Sequence, residues 1–341
     1  MKASLKIACY LLLSMFAGSF AALAQTSETS PGKSFLFKNY TKQNGLINDA
    51  IYCLAQDRNG YIWFGSNTGL TRFDGKTFYH KAIPVIYKNS TLVQAIETTP
   101  DGKIITTGFM QGVFVQQDDG RFKQYLENGY VELGQNVFNV LKYYDENSAL
   151  ASYARALFRI SGDSIIRLFD HGSGSNLFYT LDIDKEKRIW FGGRMGLGML
   201  QLTGTEYEPV FLPEFQDKLI YMILFDDDGA LHVATTQGYY RVKWRQPSVW
   251  DRDYIIEQPF LPVKDLTVYY MYSDRERNLW IATRTYGVFR TKGDAITLHL
   301  TKENGLSSNT VSCVLQDREG YYWFGTNNGI NIVKKDRKSV V

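Results

Sequence analysis

The stretch "QDRNGYIWFGSNTGLTRFDG", residues 56–75, decides the fold because it returns as "QDREGYYWFGTNNGINIVKK" at residues 316–335. Each copy contains a β-rich run, a tight turn with Asp and Gly, a second β-rich run, and a Gly before a third run. The two copies lie near opposite ends of a 341-residue chain. Recurrence of this kind indicates a protein built from internal structural repeats.

Weaker copies fill the interval between these two. Seven copies align on the position that Trp63 holds, and successive copies are 39 to 48 residues apart. That spacing is the period of a four-stranded propeller blade, so the sequence predicts an all-β fold, a seven-bladed β-propeller over residues 25–335. Large side chains at the aligned position are expected to pack between blades, because a lone sheet cannot bury both faces. The seven aligned residues are Trp63, Ile105, Ala151, Trp190, His232, Trp280 and Trp323.

The ring is predicted to be closed by the N-terminal strand. The last copy ends after its third strand, near Lys334, and has no outer strand of its own. Residues 35–46, "FLFKNYTKQNGL", begin with a strand that belongs to no blade and match "LHLTKENGL" at residues 298–306. We therefore expect residues 35–40 to supply the fourth strand of the seventh blade. The alternative is a chain that stops with an open sheet edge.

The first 24 residues are predicted to be a secretory signal peptide. Lys2 and Lys6 precede an apolar run, residues 7–20, and residues 22–24 form a small-x-small cleavage site. An uncleaved membrane anchor is the alternative. A cleaved signal predicts a periplasmic location for the mature chain.

Composition favours β-structure and excludes some function classes. The 23 Tyr and 21 Phe residues suit a pleated, half-buried surface. The formal net charge is only +3, without a Lys/Arg run, so no nucleic-acid partner is expected.

Residue patterns for catalysis are scarce. Asp57, Asp228 and Asp317 lie in Asp/Gly turns, where carboxylates cap backbone amides, and a catalytic or calcium-binding role is the alternative. No phosphate-binding loop, dinucleotide fingerprint or nucleophile elbow occurs, so neither a cofactor nor an enzymatic activity is expected. The histidines lack metal-ligand spacing, and no metal site is expected. They are His80, His171, His232 and His299.

Cys53 and Cys313 hold the same inner-strand position in the first and seventh copies, which are neighbours in a closed ring. A disulfide is conceivable in an oxidising compartment. Equivalent Cα atoms on diverging inner strands are expected to lie beyond the bridging range of about 7 Å, so two buried free thiols are predicted.

The repeat resembles a known family. Residues 51–75 and "NGLSSNTVSCVLQDREGYYWFGTNNGI", residues 304–330, are similar to the two-component regulator propeller repeat of periplasmic sensor regions in hybrid two-component systems. The resemblance implies a sensor of oligosaccharides that controls polysaccharide utilisation. It also implies a longer, inner-membrane-anchored parent with a second propeller, an immunoglobulin-like module and a histidine kinase, and a homodimer. This chain would be its N-terminal portion, and residues 336–341 a non-native or disordered tail.

One column of the repeat predicts a ligand site. The residues four positions after the Trp63 column fall at the reversal between second and third strands, on the face where propellers commonly bind ligands. Arginines there suit carboxylate or sulfate groups and thus an acidic oligosaccharide. Phe109 in the column and the neighbouring Met110, Met195 and Tyr286 could stack on sugar rings. Solvated loop tips or contacts to a following domain are the alternative. The column is Asn67, Phe109, Arg155, Arg194, Thr236, Arg284 and Asn327.

Two other function classes stay open. A protein-interaction scaffold would use exposed Tyr-rich patches. A propeller-type lyase would need a histidine and a carboxylate converging on the central channel, for which His232 is the candidate.

Overall fold

The computed structural model describes residues 36–81, 83, 91–108, 112–125, 138–153, 156–161, 164–172, 178–245, 253–259, 262 and 264–334. The predicted signal peptide, Phe109, Met110, Arg155 and residues 336–341 lie outside the described residues. Within the described ranges, the regular structure is β-strand apart from short 3₁₀ turns. No helix in this part of the chain is long and apolar enough to span a bilayer.

Seven four-stranded antiparallel sheets form the blades of a β-propeller, which confirms the predicted fold. Blade 1 consists of β2 (Ile51–Gln56), β3 (Ile62–Ser66), β4 (Gly69–Phe73) and β5 (Phe78–Lys81). Blade 2 consists of β6 (Val93–Thr98), β7 (Ile104–Gly108), β8 (Gly112–Gln116) and β9 (Phe122–Tyr125). Blade 3 consists of β10 (Phe138–Asp145), β11 (Ser148–Tyr153), β12 (Ala156–Ser161) and β13 (Ser164–Asp170).

The remaining blades repeat this order. Blade 4 consists of β14 (Phe178–Ile183), β15 (Ile189–Gly193), β16 (Gly196–Thr203) and β17 (Glu206–Phe211). Blade 5 consists of β18 (Ile220–Phe225), β19 (Leu231–Thr235), β20 (Gly238–Trp244) and β21 (Tyr254–Glu257). Blade 6 consists of β22 (Val268–Ser273), β23 (Leu279–Thr283), β24 (Val288–Lys292) and β25 (Ala295–Leu300). Blade 7 consists of β26 (Val311–Gln316), β27 (Tyr321–Thr326), β28 (Gly329–Lys334) and β1 (Lys38–Tyr40).

The N-terminal strand closes the ring as predicted. β1 pairs antiparallel with β28, with Lys38 opposite Ile332 and Tyr40 opposite Ile330. The Tyr40 ring also lies 5.4 Å from Phe73 and 5.2 Å from Phe78 in blade 1. One strand therefore joins the two ends of the described chain, and the third strand of blade 7 is not left as an open edge.

The turn between the first two strands of a blade is held by an aspartate. In blade 1, Asp57 accepts hydrogen bonds from the amides of Asn59 and Tyr61 and, at 2.8 Å, from the indole of Trp63. Gly60 adopts φ 88°, which non-glycine residues rarely reach. The bond between aspartate and indole recurs in blades 4, 6 and 7 at 2.7 to 3.0 Å. The predicted turn role of Asp57 and Asp317 is therefore confirmed, but the prediction for Asp228 is wrong, because in blade 5 it is Asp226 that accepts from the turn amides, those of Asp228 and Ala230. We name the face with these turns the Asp face.

The Gln-Asp-Arg motif joins neighbouring blades on the Asp face. The amide of Arg318 donates to the side chain of Gln56 at 2.8 Å, and the guanidinium of Arg318 donates to the carbonyl of Arg58 at 2.9 Å. Arg275 repeats both bonds with Gln316 and Arg318, each at 3.1 Å. The most recognisable letters of the repeat thus maintain turns and connect blades.

Candidate functional site

The predicted ligand positions lie on the face opposite the Asp face, which we name the Arg face. Asn67, Arg194, Arg284 and Asn327 follow the second strands of blades 1, 4, 6 and 7, and all four are exposed. Thr236, in blade 5, is half-buried. The structure therefore places these residues at equivalent turns on one face, as the repeat predicts.

Contacts between blades fix the backbone of these turns. The amide of Arg284 donates to the carbonyl of Thr267 at 3.0 Å, and the carbonyl of Arg284 accepts from the hydroxyl of Thr310 in blade 7 at 2.8 Å. The carbonyl of Asn67 accepts from the hydroxyl of Thr91 at 3.0 Å. The side chains consequently project from anchored positions, which lowers the entropy lost when they bind a ligand.

Tyrosines of the inner strands lie beside the arginines. The second residue of the first strand sits at a β-bulge in each blade, and in blades 4, 5 and 6 it is Tyr179, Tyr221 and Tyr269. The rings of Tyr179 and Tyr221 stack with centroids 6.3 Å apart, and those of Tyr221 and Tyr269 meet edge-to-face at 4.9 Å. The Nε of Arg194 donates to the hydroxyl of Tyr179 at 2.8 Å. We name Tyr179, Tyr221, Tyr269 and Arg194 the tyrosine collar.

The electrostatics of the collar favour neutral phenols beside cations. Burial raises the pKa of Tyr221, and the nearby Tyr269 adds to the effect, while Arg284 and Arg194 act in the opposite direction. The bond to Tyr179 raises the pKa of Arg194 above its ordinary value. The collar therefore offers aromatic faces for sugar C–H groups, phenolic hydroxyls for hydrogen bonds, and guanidinium charge for an anionic group.

Sequence reasoning missed the tyrosine collar. The signal was present, because Tyr follows the first residue of the inner strand in blades 1, 4, 5 and 6, at Tyr52, Tyr179, Tyr221 and Tyr269. Of the residues suggested for stacking, Tyr286 is 53% exposed. Met195 instead packs against the apolar cluster that contains Phe178 and Phe191.

An ionic cluster lies below the collar on the inner strands. The ammonium of Lys142 lies 3.2 Å from Asp182, whose carboxylate also accepts from the amide of Phe225 at 2.8 Å. Burial raises the pKa of the nearby Glu97, although the charge of Lys142 opposes the shift. The amide of Phe225 lies on the innermost strand of blade 5 and has no partner strand on that side. Asp182 supplies its hydrogen-bond acceptor.

The candidate histidine for lyase chemistry lies elsewhere. His232 is only 7% exposed, and its Nε2 lies 3.1 Å from Asp226 while its Nδ1 lies 2.6 Å from the hydroxyl of Tyr239. It occupies the tryptophan position of blade 5 and reproduces the bond between indole and aspartate on the Asp face. The histidine and carboxylate do meet, but away from the tyrosine collar. No group of three potential metal ligands occurs among the described residues.

Cys53 and Cys313 are free thiols in the structure, as predicted, so the alternative of a disulfide is wrong. Burial raises the pKa of Cys53 to about 12, and burial also raises the pKa of Cys313 well above its ordinary value. The Sγ of Cys53 faces the carbonyl of Val93 in blade 2 at 3.9 Å. Cys313 is buried, whereas Cys53 is half-buried rather than buried as predicted, and both behave as small apolar side chains rather than nucleophiles.

Two segments of the chain match a family model. Residues 45–68 and 305–328 match the two component regulator propeller family. These segments fall within blades 1 and 7, on the two copies that are most alike. The chain therefore carries two-component regulator propeller repeats.

Longer relatives share parts of the chain. Histidine kinase P4 of Formosa agariphila is 35% identical over 72 residues, which cover 21% of this chain and 5% of that protein. The solved extracellular domain of a protein described as a hybrid two-component system of B. thetaiotaomicron superposes with a TM-score of 0.71 at 18% identity. That superposition covers 88% of this chain and 42% of the solved chain. The chain thus spans less than half of these relatives.

The same fold also occurs in an enzyme. Virginiamycin B lyase from Staphylococcus aureus superposes with a TM-score of 0.68 at 12% identity, over 89% of this chain and all of the lyase chain. At such identities a superposition shows the common fold alone. Function has to be argued from the site.

Proposed function

We propose that the chain is the ligand-sensing propeller of a hybrid two-component system and binds an oligosaccharide on the Arg face. The tyrosine collar carries the proposal, because it joins stacked phenol rings to Arg194 through a 2.8 Å hydrogen bond. Aromatic faces with a few convergent polar groups are the usual composition of small-molecule sites. The family of the repeat supports a sensor rather than a catalyst.

The charge of the face favours an acidic sugar. Arg194 and Arg284 are exposed, and the charge of each opposes the rise in the pKa of Tyr221. Guanidinium groups bind carboxylates and sulfates in a planar, bidentate manner. The ligand we propose is therefore an oligosaccharide with uronic or sulfated units, placed with its ring faces on the collar. Asn67, Tyr286 and Asn327 extend this surface, and the sequence adds Phe109 and Arg155 to it.

The proposal includes a setting for the domain. The predicted signal peptide directs the chain to the periplasm, where it senses products of polysaccharide breakdown. In a longer, inner-membrane-anchored parent it adjoins a second propeller and an immunoglobulin-like module, and dimer geometry transmits the signal to a histidine kinase. The ligand shifts that equilibrium only through different affinities for the two states. The propeller makes and breaks no bond itself.

Thermal unfolding of the purified protein with neutral, uronic and sulfated oligosaccharides tests the proposal. A ligand that binds the folded state raises its stability. We expect acidic oligosaccharides to raise the melting temperature, with the rise lost in Arg284→Ala and in Tyr221→Leu. Arg167→Ala is the matched control, because Arg167 is exposed on β13, the outermost strand of blade 3, whereas the tyrosine collar lies on innermost strands. A panel without any shift, or a shift that Arg284→Ala leaves intact, would contradict the proposal.

A further inference from the structure

A cavity of about 410 Å³ lies between blades 5 and 6, on the Asp face. Its walls come from the facing sheets of the two blades, and its rim from the turn at residues 226–229 and from Arg277. It is therefore separate from the tyrosine collar, which lies at the opposite ends of the inner strands. The volume falls within the range of small-molecule sites, about 300 to 1,000 Å³.

Substitutions within the repeat explain why the cavity exists. At the preceding seam, Trp190 of blade 4 packs against Phe225 and Trp244 of blade 5, with centroids 5.7 and 5.2 Å apart. The strand registers place His232, Ser273 and Gly293 at the same three positions of the next seam. All three line the cavity. Three aromatic rings at one seam are thus replaced by small or polar groups at the next.

The polar side chains that line the cavity are held by hydrogen bonds and ion pairs. His232 bridges Asp226 and the hydroxyl of Tyr239 on the cavity wall. Arg241, 9% exposed, bonds to Glu257 at 2.5 Å within its own blade and to Asp294 of blade 6 at 2.7 Å. An ion pair therefore links blade 5 to blade 6 across the seam beside the cavity.

The charges of the cavity point to a neutral ligand. Three cations and three carboxylates line it, and the cations are already paired: Arg241 as above, Lys243 with Glu257 at 3.0 Å, and Arg277 with Asp227 at 3.1 Å. An anionic ligand would have to break one of these pairs, and a cationic ligand would gain only Asp228, an exposed carboxylate with which an ion pair is worth little. Paired ions retain spare N–H donors and oxygen lone pairs, which hydroxyl groups can share.

We infer that the seam between blades 5 and 6 is a second binding site, for a neutral polyhydroxylated molecule the size of a monosaccharide. Hydroxyls of the guest exchange hydrogen bonds with the rim ions and with Ser273. The apolar face of its ring lies against Leu279 and Tyr239. The inference does not depend on the function proposed for the Arg face.

Calorimetric titration of the purified protein tests the site. The probes are D-glucose, D-galactose, D-mannose, D-xylose and N-acetyl-D-glucosamine, with D-glucuronate, D-glucosamine and glycine as charged comparators. We expect at least one neutral probe to bind and the charged comparators to bind at least tenfold more weakly. No binding by any neutral probe, or equal binding of a charged comparator, would overturn the inference.

Two variants locate the binding. Ser273→Phe installs the ring that blade 5 carries at this position and should weaken the binding of the neutral probe at least tenfold. Asp228→Ala alters an exposed rim residue without touching the seam packing and should weaken binding at least threefold. If Ser273→Phe does not fold, the binding measured for Asp228→Ala decides whether the cavity is the site. Arg284→Ala, on the Arg face, is the control and should bind the probe unchanged. Binding that both cavity variants leave intact lies elsewhere and refutes the site.

Discussion

The seam between blades 4 and 5 and the seam between blades 5 and 6 are built from the same strand positions but filled differently. The first contains the rings of Trp190, Phe225 and Trp244. The second replaces them with polar bridges and a cavity. Both seams keep the aspartate turn and the blade register. The comparison teaches that the repeat fixes turns and strand pairing, while the packing between blades can vary and make room for a ligand.

The largest expected effect comes from removing the central side chain of each seam. Trp190→Ala should lower the free energy of unfolding by about 3–5 kcal/mol, because it empties a filled site. His232→Ala should cost about 1–3 kcal/mol, since the cavity already exists and the loss is that of hydrogen-bond partners for Asp226 and Tyr239. Urea unfolding of both variants measures the difference. Equal losses would mean that the two seams do not differ in packing.

The next-largest effect should come from filling the cavity between blades 5 and 6. Ser273→Phe should raise the free energy of unfolding by about 1 kcal/mol, because a ring would be buried in existing space. The reciprocal change at the filled seam, Phe225→Ser, should lower it by about 3–4 kcal/mol. The same unfolding measurements compare the pair. A loss of stability in Ser273→Phe would show that the cavity walls cannot accept the ring that the preceding seam holds.

Backbone strain should respond alike at both seams. Lys187 and Arg277 adopt φ 64° and 61° at the turn position that Gly60 holds in blade 1. Glycine there should raise stability by about 0.5–1 kcal/mol in each case, because a left-handed backbone is costly for other residues. The exposed ion pair that Arg277→Gly removes contributes little. Thermal unfolding of Lys187→Gly and Arg277→Gly measures the gain, and a loss in both would exclude strain at this position.

The sequence predicted the fold well for physical reasons that the structure makes plain. The turn aspartates, the tryptophans and the closing strand act locally or repeat at a constant spacing, so a single sequence reveals them. The collar and the cavity depend on residues from different blades. Tyr179 and Tyr221 meet only because neighbouring inner strands converge at the Arg face. The cavity could be anticipated only by comparing two columns of the repeat that meet across a seam: the column of Trp190 and His232, and the column of Phe225 and Ser273.

The smallest expected effect is a difference in how the stability of the two kinds of seam depends on pH. Burial raises the pKa of Asp226, but bonds from His232 and from the amide of Ala230 outweigh it, and the net pKa lies below the ordinary value. Burial dominates at Asp317, in the seam between blades 7 and 1 that Trp323 fills, and raises its pKa. A depressed pKa stabilises the fold above the ordinary value near 3.9 and loses this contribution as the pH falls. A raised pKa does the opposite, because protonation relieves a buried charge.

The variants Asp226→Asn and Asp317→Asn allow the opposite pKa shifts of the two aspartates to be measured as changes in stability. The stability cost of Asp226→Asn should shrink as the pH falls from 6 to 3, since the wild-type protein loses the contribution of that carboxylate. The cost of Asp317→Asn should grow over the same range, since the wild-type protein gains by protonation. Urea unfolding at several pH values, taken as wild type minus variant, cancels the titration of groups that do not contact the substituted aspartate. Parallel slopes would show that the polar bridge of His232 and the indole of Trp323 hold their aspartates in equivalent environments.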